Sequence, residues 1–354
     1  MHYLLLTHKI DGGGLQAVVR AQAEVLVEAG HDVTVICNKE NGLVSSSIFD
    51  VKHISFHTWA GRKQLKKLFG SLADFRVLAH SFDAYWAMFW FRRYKDRSYY
   101  FVHVDYYSMY YKSSKWLKNF ERTFNYKLLF NGKNVAFVSK GAEASMLNKI
   151  GIRPKRTAVI YPPIDLSKIK ALSKVELKLD LPEVFYISLG RLAERKNVAL
   201  TIKAFAKVRE NNESLVIVGD GQEQETLKEL VNKLGINSQV LFVGWQDNPY
   251  PIIKRAQALV MSSNSEGFGL NIVEALSLGV PVVSTDAPSG PREILEPDYA
   301  DCLSKVNDLD DLVNKLSLLK TSRNQPRFSV SGLKEHVQKF DSKYALAELL
   351  KFTE

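Results

Sequence analysis

The sequence predicts an α/β protein of two doubly wound, Rossmann-like halves, each built on an open parallel sheet. Three observations carry this. Apolar runs of strand length alternate with segments of helical spacing along the whole chain. Many of those runs end in a short glycine-containing or polar turn, the connection expected of a βα unit. At 354 residues the chain is too long for one ordinary core and long enough for two domains. We place the division at 165/166 within a linker at about 162–180, with residues 166–330 as the second domain and a last helical region at about 331–354 crossing back to the first.

In the first half, residues 3–7 read as a strand and Asp11-Gly12-Gly13-Gly14 as the turn after it, followed by a helix over 15–29 stopped by Gly30 and a strand over 32–37. Three consecutive glycines let backbone approach a ligand closely, and they serve a tight turn equally well. They miss the spacing and the later acid of a dinucleotide fingerprint. Two short strands, 76–79 and 99–102, are each followed by a histidine, His80 and His103, at the edge where ligands of open α/β sheets gather. A strand at 135–138 and a helix at 140–149 follow, and the prolines of Tyr161-Pro162-Pro163-Ile164-Asp165 close the half.

The second half repeats the scheme. Strands at 184–189, 215–218 and 240–243 lead to Gly190-Arg191-Leu192, Gly219-Asp220-Gly221 and Gly244-Trp245, with helices at 198–210, up to 234 and near 250–256. The apolar run 258–261 then passes through Ser262-Ser-Asn-Ser-Glu266 and Gly267-Phe268-Gly269 into a helical pattern that Gly279-Val280-Pro281 ends. A strand, a tight loop and a helix start expose unpaired backbone N–H groups and a positive dipole end, which suit a phosphate. Glu266 in the loop and Glu274 about one turn into the helix flank this corner, and Arg191 and Lys196 add positive charge.

Charge is unevenly spread. Residues 1–170 hold 26 Lys and Arg against 13 Asp and Glu, a net of +13, whereas 171–354 are at −3, within an overall +10. A cationic half points to an anionic surface, lipid or nucleic acid. Residues 59–76 and 110–130 place basic and aromatic side chains at helical spacing, including Lys112, Lys115, Lys118, Arg122 and Lys127 beside Trp116, Leu117, Phe120 and Phe124. That pattern fits an interfacial membrane helix, and it equally fits a helix covering a sheet. Nucleic acid is disfavoured, because the aromatics fall on helices and not on a sheet face. Cys37 and Cys302 lie in apolar contexts as reduced core residues, no leader peptide is expected, and no apolar run approaches a membrane span, so a cytoplasmic protein, peripheral at the inner membrane face, is expected. No Asp-x-Asp pair or His/Cys cluster suggests a metal.

Glu266-Gly-Phe-Gly-Leu-Asn-Ile-Val-Glu274 resembles the Glu-x7-Glu signature of retaining GT-B glycosyltransferases, and its context resembles glycosyltransferase family 4. Gly190-Arg191-Leu192 with Lys196-Asn197, Gly219-Asp220-Gly221 and Gly290-Pro291-Arg292-Glu293-Ile294-Leu295 fall in the family's order over about 185–296. In the first half only Gly12 to Gly14, His103 and residues 161–165 match, and Pro162-Pro163 stands where the family usually has Asn-Gly. The resemblance implies two domains facing a cleft that closes over a nucleotide-sugar donor, UDP-hexose or UDP-N-acetylhexosamine; a diphosphate held by two fixed cations and a helix dipole would need no metal, and no other cofactor is expected. It implies that Arg191, Lys196, Gly190 and the amides of Phe268, Gly269 and Leu270 bind the diphosphate, that Glu274 accepts the ribose hydroxyls, and that Glu266 lies against the sugar. His103 would line the sugar pocket from the other domain, with Gly13 and Gly14 near the phosphates. The cationic, aromatic-rich first half suggests a lipid-linked or envelope glycan as acceptor, as in lipopolysaccharide, capsule or teichoic acid assembly. An inactive accessory subunit and a nucleotide-sugar epimerase are the alternatives.

Overall fold

The computed structural model describes residues 1–39, 47–110, 116–322 and 325–354. The chain divides into two compact units, residues 1–164 with 340–354, and residues 165–339.

The first unit holds a seven-stranded parallel sheet of β1 (His2–Thr7), β2 (Asp32–Cys37), β3 (Asp50–His53), β4 (Phe75–Ala79), β5 (Ser98–Val102), β6 (Asn134–Phe137) and β7 (Arg156–Val159), in the order β3-β2-β1-β4-β5-β6-β7. The strand order reverses between β1 and β4. The sheet is apolar on both faces because both are covered, as a parallel sheet requires. Along β1, Leu4 and Leu6 enter one core with Val77, Phe75 and Phe137, while Tyr3 and Leu5 enter the other with Val35, Phe101 and Phe352.

The terminal helix Ser342–Thr353 belongs to this unit, held by burial of Leu349 and Phe352. Its last turn is also anchored by polar contacts. Tyr99 Oη and Arg76 Nε donate to the Thr353 carbonyl at 3.0 and 2.7 Å, and Thr353 Oγ1 lies 3.0 Å from Tyr3 Oη. The preceding helix Val330–His336 is part of the second unit.

The two basic helical segments differ. Helix Trp59–Ser71 buries Gly61, Leu65 and Phe69 and so covers the sheet, although Trp59 stays exposed. Helix Trp116–Phe130 buries Tyr126, Leu129 and Phe130 at its carboxyl end. Its earlier apolar residues stay out of the core: Trp116, Leu117, Phe120 and Phe124 are 74, 62, 71 and 60 % exposed. The sheet-covering role therefore holds for the first segment and fails for these four side chains. Lys112 and Lys115 lie outside the described residues.

The second unit holds a six-stranded parallel sheet of β8 (Val184–Leu189), β9 (Glu213–Val218), β10 (Val240–Gly244), β11 (Leu259–Met261), β12 (Val282–Thr285) and β13 (Leu303–Ser304). The order β10-β9-β8-β11-β12-β13 reverses between β8 and β11. In open α/β sheets such reversal points open a crevice at the carboxyl ends of the strands, where ligands bind. The short edge strands β3 and β13 carried no sequence signal of their own. They pair along one side only, with β2 and with β12.

Candidate active site

At the reversal point of the second sheet, the loops after β8 and β11 are joined by hydrogen bonds. Asn264 N donates to Arg195 O at 2.8 Å, Arg195 Nη1 to Ser265 O at 3.2 Å, and Ser262 Oγ to Asn197 O at 2.7 Å. Below them Thr201 Oγ1 and Ser262 Oγ lie 2.7 Å apart in the interior. These contacts fix Glu266, only 7 % exposed, against Lys196 and Arg195. Lys196 Nζ donates to Glu266 Oε1 at 2.6 Å, and Arg195 Nη1 stands 3.6 Å from Oε2. Burial works against ionisation of this carboxyl more than any other single influence. The charges of Lys196 and Arg195 and the hydrogen bonds from Lys196 and Ser263 together outweigh it, and the carboxyl is held below its ordinary value.

Two residues after Glu266, the chain turns through Phe268 into helix Leu270–Ser277, with Gly269 as its left-handed cap. The amides of Gly269 and Leu270 open the helix and by position have no intrahelical acceptor. Asn271 Nδ2 donates to the Leu189 carbonyl at 2.6 Å, which ties the helix start to the end of β8.

Backbone packs against backbone around this corner. A Cβ on Gly290, at φ +98°, would fall 1.8 Å from the Phe268 carbonyl oxygen, and one on Gly219, at φ +128°, would fall 2.0 Å from that of Gly190. Only glycine fits either place. The glycine motifs thus let three loops close on one another beside the helix start. Gly190 itself faces Lys196 Cε and Asn271 Nδ2. Arg191 is exposed beside it.

Glu274, half-buried one turn into the helix, accepts from Tyr250 Oη at 3.3 Å. Burial pushes its carboxyl up to about 7, against a smaller opposing effect of the Tyr250 hydrogen bond. The two acids of the motif therefore differ in charge state near neutrality. Glu266 is a paired carboxylate, and Glu274 is poised to lose or keep its proton.

In the first unit His103, beyond β5, lies 2.9 Å by Nε2 from Nδ1 of His80. Burial lowers His103 to about 4 and His80 well below the ordinary imidazole value, so both rings are neutral. Gly13 precedes helix Gly14–Glu28 at φ 40°. The structure thus gathers Glu266, Lys196, Gly190, Phe268, Gly269 and Leu270 into one corner of the second unit. Glu274 follows one turn along the same helix, while His103, Gly13 and Gly14 sit at the carboxyl edge of the first sheet.

Arg195, Asn271 and Tyr250 were legible in sequence only as neighbours of motif residues. Their roles come from partners 24 to 82 positions away, Tyr250 with Glu274 at the short end and Asn271 with Leu189 at the long one. Among the described residues no group of three His, Cys, Asp or Glu side chains could hold a metal ion. No helix among them is long and apolar enough to cross a membrane.

Two sheets of parallel strands, each with one reversal of strand order, define a two-unit doubly wound α/β protein. Comparison with known proteins places it more narrowly. Residues 12–168 match the model of Glycosyltransferase Family 4 and residues 170–330 that of Glycosyl transferases group 1, so that together the two take in most of the chain. The chain belongs to the GT-B glycosyltransferases of the family 4 type.

Among curated relatives, it is 30 % identical over 216 residues to a Campylobacter jejuni N-acetylgalactosamine-N,N'-diacetylbacillosaminyl-diphospho-undecaprenol 4-alpha-N-acetylgalactosaminyltransferase, across 60 % of this chain and 58 % of that one. It is 30 % identical over 185 residues to the lipopolysaccharide 1,6-galactosyltransferase of Salmonella typhimurium, across 51 % of this chain and 50 % of the relative. The match thus spans little more than half the length of these relatives. Among solved structures, Anabaena HepE in complex with UDP superposes with a TM-score of 0.80 at 20 % identity, over 99 % of this chain and 100 % of that one.

Proposed function

We propose that this chain is a retaining glycosyltransferase that moves a sugar from a nucleotide donor, UDP-hexose or UDP-N-acetylhexosamine, to a hydroxyl of a lipid-linked or cell-envelope glycan. One observation carries the reading: a buried carboxylate, Glu266, paired with Lys196 and flanked by Arg195 where a helix start and three glycine loops meet. Breaking a glycosyl phosphate bond builds negative charge on the leaving oxygen and positive charge on the sugar ring. Fixed cations and open amides answer the first, and a carboxylate answers the second.

In this reading Arg191, Lys196 and the amides of Gly269 and Leu270 take the diphosphate, which draws Lys196 partly from Glu266 and leaves that carboxylate facing the sugar. Glu274 takes the ribose hydroxyls. Arg195, bonded to the Ser265 carbonyl, keeps Glu266 ionised while Lys196 serves the phosphates. The cations supply the charge that a divalent ion would otherwise bring, so we propose that no metal is needed. The relatives' undecaprenol-linked and lipopolysaccharide substrates support an envelope acceptor, and UDP in the HepE structure supports the nucleotide. We also propose that the first unit rests on an anionic membrane surface through the exposed aromatic residues of helix Trp116–Phe130 and the lysines and arginines among them.

The test is a panel of nucleotide sugars offered to the full chain, with release of nucleoside diphosphate as the readout and the anomeric configuration of the product determined by NMR. Release from one UDP-sugar with the donor's configuration retained supports the reading. No release from any donor identifies an inactive binding subunit, and an inverted product overturns the mechanism. Flotation with phosphatidylglycerol vesicles, lost at high salt, tests the membrane contact.

A further inference from the structure

The first unit's sheet has its own reversal point, between β1 and β4, and a polar cluster sits there that the donor chemistry does not use. His8 is the first residue after β1, Asn38 the first after β2, and Asp83 lies in the first turn of helix Phe82–Phe89, which follows β4. Asp83 gathers the others. His8 Nδ1 bonds to Asp83 Oδ2, Asn38 Nδ2 donates to the same oxygen at 2.8 Å, and His57 Nε2 stands 3.6 Å from Oδ1. Asn38 is itself oriented, since its Oδ1 accepts from Phe56 N at 2.8 Å. Residues from four loops thus converge on one carboxylate at the edge where open α/β sheets bind ligands.

The bonding decides which atom faces outward. A carboxylate only accepts, so the nitrogen of His8 that meets it must carry the hydrogen. In a neutral imidazole the other nitrogen, Nε2, then holds a lone pair and accepts. Among the described residues Nε2 makes no hydrogen bond, and the His8 side chain is 38 % exposed. In that neutral form an acceptor beside a carboxylate suits a ligand that donates a hydrogen bond and repels one that only accepts. Phosphate oxygens are therefore unsuited, and a hydroxyl is suited.

We propose that His8, oriented by Asp83 and Asn38, binds the hydroxyl that receives the sugar, accepting its hydrogen bond at Nε2. This deepens the transferase reading and rests on it: the chemical class of the ligand is an alcohol, the free hydroxyl of a glycan or glycolipid. His57, on the other carboxylate oxygen, flanks the same place.

The test uses the full chain and octyl glucoside below its micelle concentration as a hydroxyl-bearing probe. Long-range nitrogen NMR, with His8 assigned through a variant, is expected to show Nδ1 protonated and Nε2 bare, and to show the Nε2 resonance moving as octyl glucoside is added but not with inorganic phosphate. His8→Asn places an amide nitrogen where Nδ1 was, keeps the bond to Asp83 and deletes the outward nitrogen. It is expected to weaken octyl glucoside binding at least tenfold while melting within 2 °C of the parent. The conservative partner His8→Gln restores a polar group near Nε2 and recovers part of the binding.

A protonated Nε2, a resonance indifferent to the probe, or a His8→Asn protein that loses thermal stability instead of probe affinity overturns the proposal. Failure of the transferase reading shows separately, as no nucleotide release from any donor by the parent protein.

Discussion

The two sheets share a topology and differ in what builds their ligand edges. In the second unit the corner is made of backbone: glycines whose missing side chains let carbonyls approach within contact, a helix start, and one buried ion pair. In the first unit the edge is made of side chains, with the neutral pair His80 and His103 in one place and the Asp83 cluster in another. A backbone corner suits a ligand with a fixed charged core, such as a diphosphate, because amides cannot be exchanged by substitution. A side-chain edge can vary between proteins while the sheet beneath stays the same. That division fits a fold whose ligand chemistry is set by the side chains grafted on it.

The comparison can be broken at several points, the first being the ion pair. Glu266→Gln removes the carboxylate but frees Lys196 and Arg195, so donor turnover is expected to fall about 100-fold or more while UDP binding holds or tightens. Steady-state kinetics beside calorimetric titration of UDP would show the split, and loss of both together would mean the ion pair is only structural.

Gly290→Ala is expected to destabilise the second unit by about 2 kcal/mol or more and to abolish UDP binding, because Cβ meets the Phe268 carbonyl in a left-handed backbone. A thermal scan with unchanged Tm would show that the corner is less tightly packed than the geometry requires.

Glu274 gives the corner of the second unit a pH response that His103 does not give the first. Burial raises its pKa to about 7, and in the proposed ribose contact the hydroxyls would donate to the ionised form, so binding would favour loss of the proton. UDP affinity is therefore expected to rise by up to about tenfold per pH unit below 7 and to level off above it, with Glu274→Gln flat across the range and weaker than the parent above pH 7. The folded-state value lies above the unfolded one. The stability this carboxyl contributes is accordingly complete below about 4.5 and lost as pH rises through about 7. In the first unit His103, lowered to about 4, is expected to show no titration of its ring resonances between pH 5.5 and 8.

The smallest effect concerns the exposed stripe. Replacing Trp116 and Phe120 by Ser is expected to change stability by no more than about 0.5 kcal/mol, since neither is in the core. Vesicle flotation should drop in the same variant, and a large loss of stability would instead place the stripe inside the fold.

Much of the second unit was legible because its signals are local. Gly267-Phe268-Gly269 before a helical spacing, and glycines after apolar runs, state their conformation within a few residues. The roles of Arg195 and Tyr250 were not legible, since each depends on a partner brought close only by the sheet. The same limit hid His8 and Asp83, 75 residues apart, and the strands β3 and β13, too short and one-sided to leave a periodic pattern.

By itself, then, the sequence determined the alternation of strands and helices, the places where only glycine fits, and the two acids eight positions apart, because each is a property of neighbouring residues. The tertiary structure decided the charge states of those acids and the pairing of Lys196 with Glu266. It also decided which aromatic residues escape the core and which nitrogen of His8 meets Asp83. Burial and partner distance set all of these, and both exist only once distant segments of the chain meet.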